Sequence, residues 1–164
     1  MSARIEILAA IRRAAVPPSP AAGPVARTPT AGPLLNRFLG ALQHVGGKGV
    51  VRRGDQSLHH LATSLSSPGT VSTIIRGRFG VAENGAVYVD AADLGARTDV
   101  VDAEQLIVVV PLTAIVATMH EAVRQVPIGS RCGWFLSGPS KTADIEQSLV
   151  IGAQGARTLR VILE

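Results

Sequence analysis

The chain has 164 residues, 46% hydrophobic but only 3% aromatic, enough for one domain with a core of Val, Ile, Leu and Ala. Its net charge of +4 is spread thinly as Arg12-Arg13, Arg52-Arg53, Arg76 and Arg78, with one Tyr and no aromatic stripe for stacking bases, so the basic residues read as a solvated surface rather than a nucleic-acid site. A single cysteine, Cys132, excludes an internal disulfide and a Cys-clustered metal or iron–sulfur centre.

Residues Arg4 to Ala14 predict a short helix with Ile5, Leu8 and Ile11 on one face. The N-terminus lacks the apolar stretch of a signal peptide, and no apolar run approaches the roughly 18–20 residues of a membrane span. A cytoplasmic location is therefore expected. From Ala15 to Pro33 the composition turns to Pro, Ala, Gly and Thr without periodicity, which reads as a linker arm. The expected division is thus 1–33, helix and arm, and 34–164, a globular domain.

Leu35, Phe38, Leu42 and Val45 keep the spacing of an amphipathic helix that Gly46-Gly47 ends. A short strand follows at Gly49 to Arg53. Asp55 then reads as the cap of a second helix with Leu58, Leu61, Ala62 and Leu65 inward. Thr70 to Ile75, β-branched at nearly every position, predicts a buried strand. After the glycine-rich passage Gly77 to Gly80, Ala86 to Val89 predicts another.

Leu106 to Val110 is the most continuous apolar run and is placed at the centre of the sheet. Pro111 and Thr113 are expected to start a helix with Leu112, Ile115, Val116, Met119 and Val123 inward. Trp134 to Leu136 and Leu159 to Leu163 read as strands, with a helix from about Ala143 to Ile151 between them. The alternation predicts an α/β fold, a mostly parallel sheet with helices on both faces.

Several catalytic signatures fail on inspection. Gly133 to Gly138 mimics a phosphate-binding loop, but Pro139 stands where its lysine belongs. His120-Glu121 starts like a zinc-protease helix, yet Arg124 occupies the second histidine's position. His44, His59, His60 and His120 share no metal spacing, so no metal site is expected. Neither a GxSxG elbow nor a GxGxxG turn occurs. Cys132 reads as an inert, partly buried thiol, with Arg131 beside it as the argument for reactivity.

Two stretches carry more. In Ser137 to Gly155, Ser140 or Thr142 can cap a helix, and Asp144 and Glu146 complement its positive end. Capping does not require Gly138, Pro139 and Lys141 together: glycine admits a ligand to the backbone, proline stiffens the turn and lysine adds a positive charge. Such a loop can seat a carboxylate or phosphate. In Ala82-Glu83-Asn84-Gly85, two readings stand. It is a tight turn, or Glu83 faces a ligand edge as acid, base or nucleophile.

These residues also carry a resemblance. The run GPSKTADIEQSLVIGAQGARTLRVIL, from Gly138 onward, resembles the C-terminal signature of the LUD-domain family, and within it the lactate utilization protein C group. Ala82 to Gly85 matches the family's second motif, LIVVVPLTAIVATMHEAV its intervening segment, and Ile7 to Arg12 its usual beginning. The family is commonly longer, with the shortfall here lying mainly between Leu65 and Gly77.

The resemblance implies a fold like the NagB/RpiA/CoA-transferase group. It also implies a part in oxidising L-lactate to pyruvate beside two iron–sulfur partners, LutA- and LutB-like proteins. On that reading the chain is a cofactor-free subunit or accessory protein. Gly138, Pro139, Ser140, Lys141, Thr142, Asp144, Glu83 and Asn84 would then line a site for an organic acid anion or a partner. The alternative is a free-standing enzyme or binding module for a small phosphorylated or CoA-linked acid, with Glu83 as nucleophile or general base.

Overall fold

The structure, a computed structural model, describes residues 3–14, 33–66, 69–130, 132–143 and 149–164. The chain falls into two units, Met1–Ala31 and Gly32–Glu164. In the first, helix α1 spans Ala3–Arg13 as its spacing predicts, with Ile5, Leu8 and Ile11 exposed. The expected linker lies, but for Pro33, outside the described residues.

The second unit is α/β, and its described residues form two four-stranded sheets and a two-stranded hairpin. Helix α2, Leu34–His44, leads into β1, Lys48–Val51. Helix α3, Leu58–Leu65, then crosses to β2, Ser72–Arg76. With β5, Gln105–Val110, and β10, Thr158–Leu163, these strands form one parallel sheet in the order β1-β10-β5-β2. Strand β5 is central, as expected, and buried at all six positions.

The second sheet is built from β3, Phe79–Val81, β4, Ala86–Asp90, β6, Ile115–Val116, and β7, Gly133–Leu136, in the order β6-β3-β4-β7. Helix α4, Met119–Gln125, packs on it. β8, Lys141–Ala143, and β9, Leu149–Ile151, form the hairpin.

Alternation along the strands explains the layering. Val108, Val110, Val161 and Leu163 point to the face covered by Phe38 and Leu42 of α2 and by Val87 and Val89 of β4. Ile107, Val109 and Ile162 point the other way, onto Ala62 and its neighbours in α3. The parallel sheet thus has a helix on each face. The far side of the second sheet stacks Phe79, Tyr88 and Phe135, with Phe79 and Tyr88 centroids 5.0 Å apart, beside Ala122 of α4. Among the described residues no helix is long and apolar enough to cross a membrane.

Four sequence expectations change. The cap of α3 is Ser57, whose hydroxyl accepts the His60 N–H, and not Asp55. A cap must stand immediately before the first helical residue to reach that donor, and Asp55 is too far back. β2 is an edge strand with only Ile75 buried, because nothing among the described residues pairs with its outer side.

The helix expected from Pro111 starts only at Met119. Ile115 and Val116, both β-branched, pair with β3 instead, while Leu112 and Val123 stay exposed. Lastly, the helix expected over Ala143 to Ile151 is strand wherever it is described: Lys141, Thr142 and Ala143 pair with Ile151, Val150 and Leu149. All three β9 side chains are exposed, so a helix there would have no covered face to bury.

Candidate functional site

Both motifs meet at the last turn of α2. The turn Ala82 to Gly85 closes the β3–β4 hairpin, with the Gly85 N–H on the Val81 carbonyl at 2.9 Å, so the tight-turn reading describes its backbone. Gly85 has φ +68°, and a Cβ there would meet the Leu42 nitrogen at 2.4 Å. Only glycine lets the turn lie this close to the helix. Asn84 Oδ1 accepts the Ala86 N–H at 3.1 Å, an Asx turn that orders the loop.

The loop after β7 docks beside it. Gly138 has φ +78°, and a Cβ would come 2.3 Å from the Val45 carbonyl oxygen. Lys141 Nζ donates to that same oxygen at 2.7 Å. A cation at a helix C-terminus is favoured by the unpaired carbonyls and the dipole, so in this arrangement the lysine caps α2. Ser137 Oγ donates to the Asn84 carbonyl at 3.0 Å and ties the two motifs directly. The Ser140 N–H donates to the Ala156 carbonyl and the Ser140 carbonyl accepts the Gly152 N–H, fastening the loop to the Gly152–Gly155 turn.

Gly138, Ser140, Lys141 and Thr142 line a cleft of about 330 Å³ above the amino-terminal ends of β5 and β10 and the carboxyl end of β7. Val100, Val101, Leu106, Leu159, Trp134 and Leu136 give it an apolar side, and Ser137 and Gln154 join the polar one. Pro139 packs near Gly46 instead. Glu83 and Asn84 are not among the cleft residues. Glu83 Oε2 accepts the Met119 N–H at 2.8 Å, at the start of α4. Asp144 lies outside the described residues.

Sequence reasoning did not foresee that α2 would be the platform for both loops, nor that Trp134 and Val101 would wall the cleft. It also missed a second polar cluster. Tyr88 Oη and Asp90 Oδ2 are 3.3 Å apart, and the Ala92 N–H donates to Asp90 Oδ1 at 2.9 Å. Asp90 is buried, and the Ala92 N–H foremost, helped by the Ser130 hydroxyl and the Arg78 charge, holds its carboxyl below the ordinary value against the opposing effect of burial. Arg78 grips Asp93 through two bonds of 2.5 and 3.1 Å. Tyr88 and Asp90 sit two apart on one strand face, a signal that was available in the sequence. This cluster lies outside the cleft and is fully paired, so it reads as a structural network.

The sequence pattern of the LUD domain matches residues 70–163, more than half of the chain and inclusive of both motifs. Lactate utilization protein C 1 of Bacillus mycoides (strain KBAB4) is 34% identical over 92 residues, covering 51% of this chain and 39% of that protein. Lactate utilization protein C of Shouchella clausii (strain KSM-K16) is 36% identical over 81 residues, covering 46% and 35%. The chain therefore spans well under half the length of these curated relatives. Among solved structures, a duf162 family protein from Deinococcus radiodurans superposes with a TM-score of 0.55 at 17% identity, over 79% of this chain and 95% of that one. At that identity the likeness shows the fold alone.

Proposed function

The chain belongs to the LUD-domain family, and from that premise we propose that it serves L-lactate utilization as a binding or accessory subunit without a redox group of its own. It would work beside iron–sulfur partners that take up the electrons released as lactate is oxidised to pyruvate. The curated relatives are named for lactate utilization.

One observation carries the binding role. The residues of the loop motif, Gly138 and Ser140 to Thr142, line a cleft, and Glu83 of the other motif does not join them in an acid–base constellation. Lys141 holds the Val45 carbonyl within the loop that borders the hollow beside Trp134, while Glu83, outside that hollow, accepts the Met119 N–H. Such a hollow with a few polar groups at its rim suits capture of an organic acid or of a partner's apolar side chain. An enzyme with Glu83 as nucleophile or base would need that carboxylate released from α4, which ranks the alternative second.

The test is a lactate-oxidation assay with an artificial electron acceptor. The purified chain alone should be inactive, and activity should appear on adding LutA- and LutB-like iron–sulfur proteins. Val101→Glu changes a half-exposed wall residue of the cleft and should weaken that reconstitution without unfolding the chain. Lactate oxidation by the chain alone, or stoichiometric iron in it, would overturn the proposal.

A further inference from the structure

The cleft beside Trp134 is larger and more apolar than a short hydroxy acid needs. Its volume of about 330 Å³ falls within the range of cavities that take ligands with a sizeable apolar body. Val101, Trp134, Leu136 and Leu159 all reach its apolar side. Lactate carries a single methyl beyond its carboxylate and hydroxyl. That methyl would leave most of the apolar side in water, and surface left in water contributes nothing to binding.

The polar side sets the charge of the ligand. Among the described residues Lys141 is the one charged side chain lining the cleft, and no carboxylate joins it. Its ammonium gives one N–H to the Val45 carbonyl and keeps two. Ser140, Thr142 and Gln154 add hydroxyls and an amide that both donate and accept. A carboxylate with an oxygen on the next carbon matches this set. Past Val101 and Gly155 the cleft adjoins a second hollow, lined by Asp102, Glu104 and Arg157. Arg157 already pairs with Glu104 at 3.7 Å, which leaves that side net negative. A second carboxylate or a phosphate reaching there would be repelled.

Resting on the organic-acid reading of this site, we propose that the cleft prefers 2-hydroxy or 2-oxo monocarboxylates with a branched or aromatic side chain over lactate and pyruvate themselves. The carboxylate and its neighbouring oxygen lie toward Ser140, Lys141 and Thr142, and the side chain lies along Val101, Trp134 and Leu136. Each further methylene buried there tightens binding about fourfold. An aromatic ring adds what it gains against the indole of Trp134.

Trp134 is the chain's single tryptophan and lies partly buried in the cleft wall, so its fluorescence reads occupancy. Titrations of the full chain should give dissociation constants that fall from lactate to 2-hydroxyisocaproate and phenyllactate, the last two at least about tenfold below lactate. Phenyllactamide, the neutral amide, should bind at least about tenfold more weakly than phenyllactate. Val101→Phe fills the apolar side from a half-exposed position. It should lower the preference for phenyllactate over lactate at least about tenfold, a change of ratio that partial misfolding does not produce. Lactate bound as tightly as phenyllactate, or an amide bound as tightly as the acid, overturns the proposal. So does the absence of a response to every acid in a chain that still supports reconstituted lactate oxidation, which leaves the accessory role standing. A chain that neither binds the acids nor supports that oxidation overturns both.

Discussion

Asp90 accepts the Ala92 N–H with one oxygen, while its other oxygen faces Tyr88 Oη at 3.3 Å and the Arg78 guanidinium at 3.8 Å. Because these contacts hold its carboxyl below the ordinary value, the folded state favours the ionised form. The stabilisation is then fully present above the unfolded carboxyl's pKa of about 3.9 and is lost as pH falls below it, through the lower folded value. Thermal melts between neutral and strongly acid pH should show part of the acid destabilisation disappear in Asp90→Asn. That variant should also be less stable at neutral pH by about 1–3 kcal/mol, since a hydrogen-bonded buried charge is lost. An unchanged acid limb would remove Asp90 from the account.

Elements were legible in the sequence where their own residues set their structure. β5 is buried on both faces and is continuously apolar from Leu106 on, β10 is so only from Val161 to Leu163, and α2 and α3 carry one clear apolar stripe. The failures arose where a local pattern fits two structures. Leu112, Ile115, Val116 and Met119 keep helical spacing, yet Thr118 takes the Glu121 N–H and caps the helix there, a Thr-x-x-Glu signature that outranked the spacing. The stretch after Gly138 reads as a capped helix, but Val150 and Ile151 are β-branched and its described ends pair as a hairpin. Both motifs were visible as sequence; their shared seat on α2 was not, because that contact joins residues far apart in the chain.

The same docking separates two roles within one loop. Gly138→Ala combines a left-handed backbone, about 1–2 kcal/mol for a residue with a Cβ, with a collision against the Val45 carbonyl. It should cost about 2 kcal/mol or more in chemical denaturation. Lys141→Ala removes one exposed cation from a helix end and should cost only about 0.3–1 kcal/mol. Equal losses would mean that the lysine fastens the loop as strongly as the glycine does.

On the scale of the whole molecule, two sheets share one core through α2. Phe38 and Leu42, both fully buried, lie in the same cluster as Val108 and Val161 of the parallel sheet and Val87 and Val89 of the mixed one. The last turn of that helix receives Gly85 from one side and Gly138 with Lys141 from the other. This makes the turn a latch for cooperative opening: the helix end cannot fray without releasing both loops. Amide hydrogen exchange should find peptides around residues 42–47, 82–86 and 137–141 losing protection together, with one opening free energy, ahead of β5. The exposed strand Leu149–Ile151 should exchange on its own, faster schedule. A ligand or partner that settles in the cleft would then slow exchange at Gly85 as well, through a helix end that it never touches.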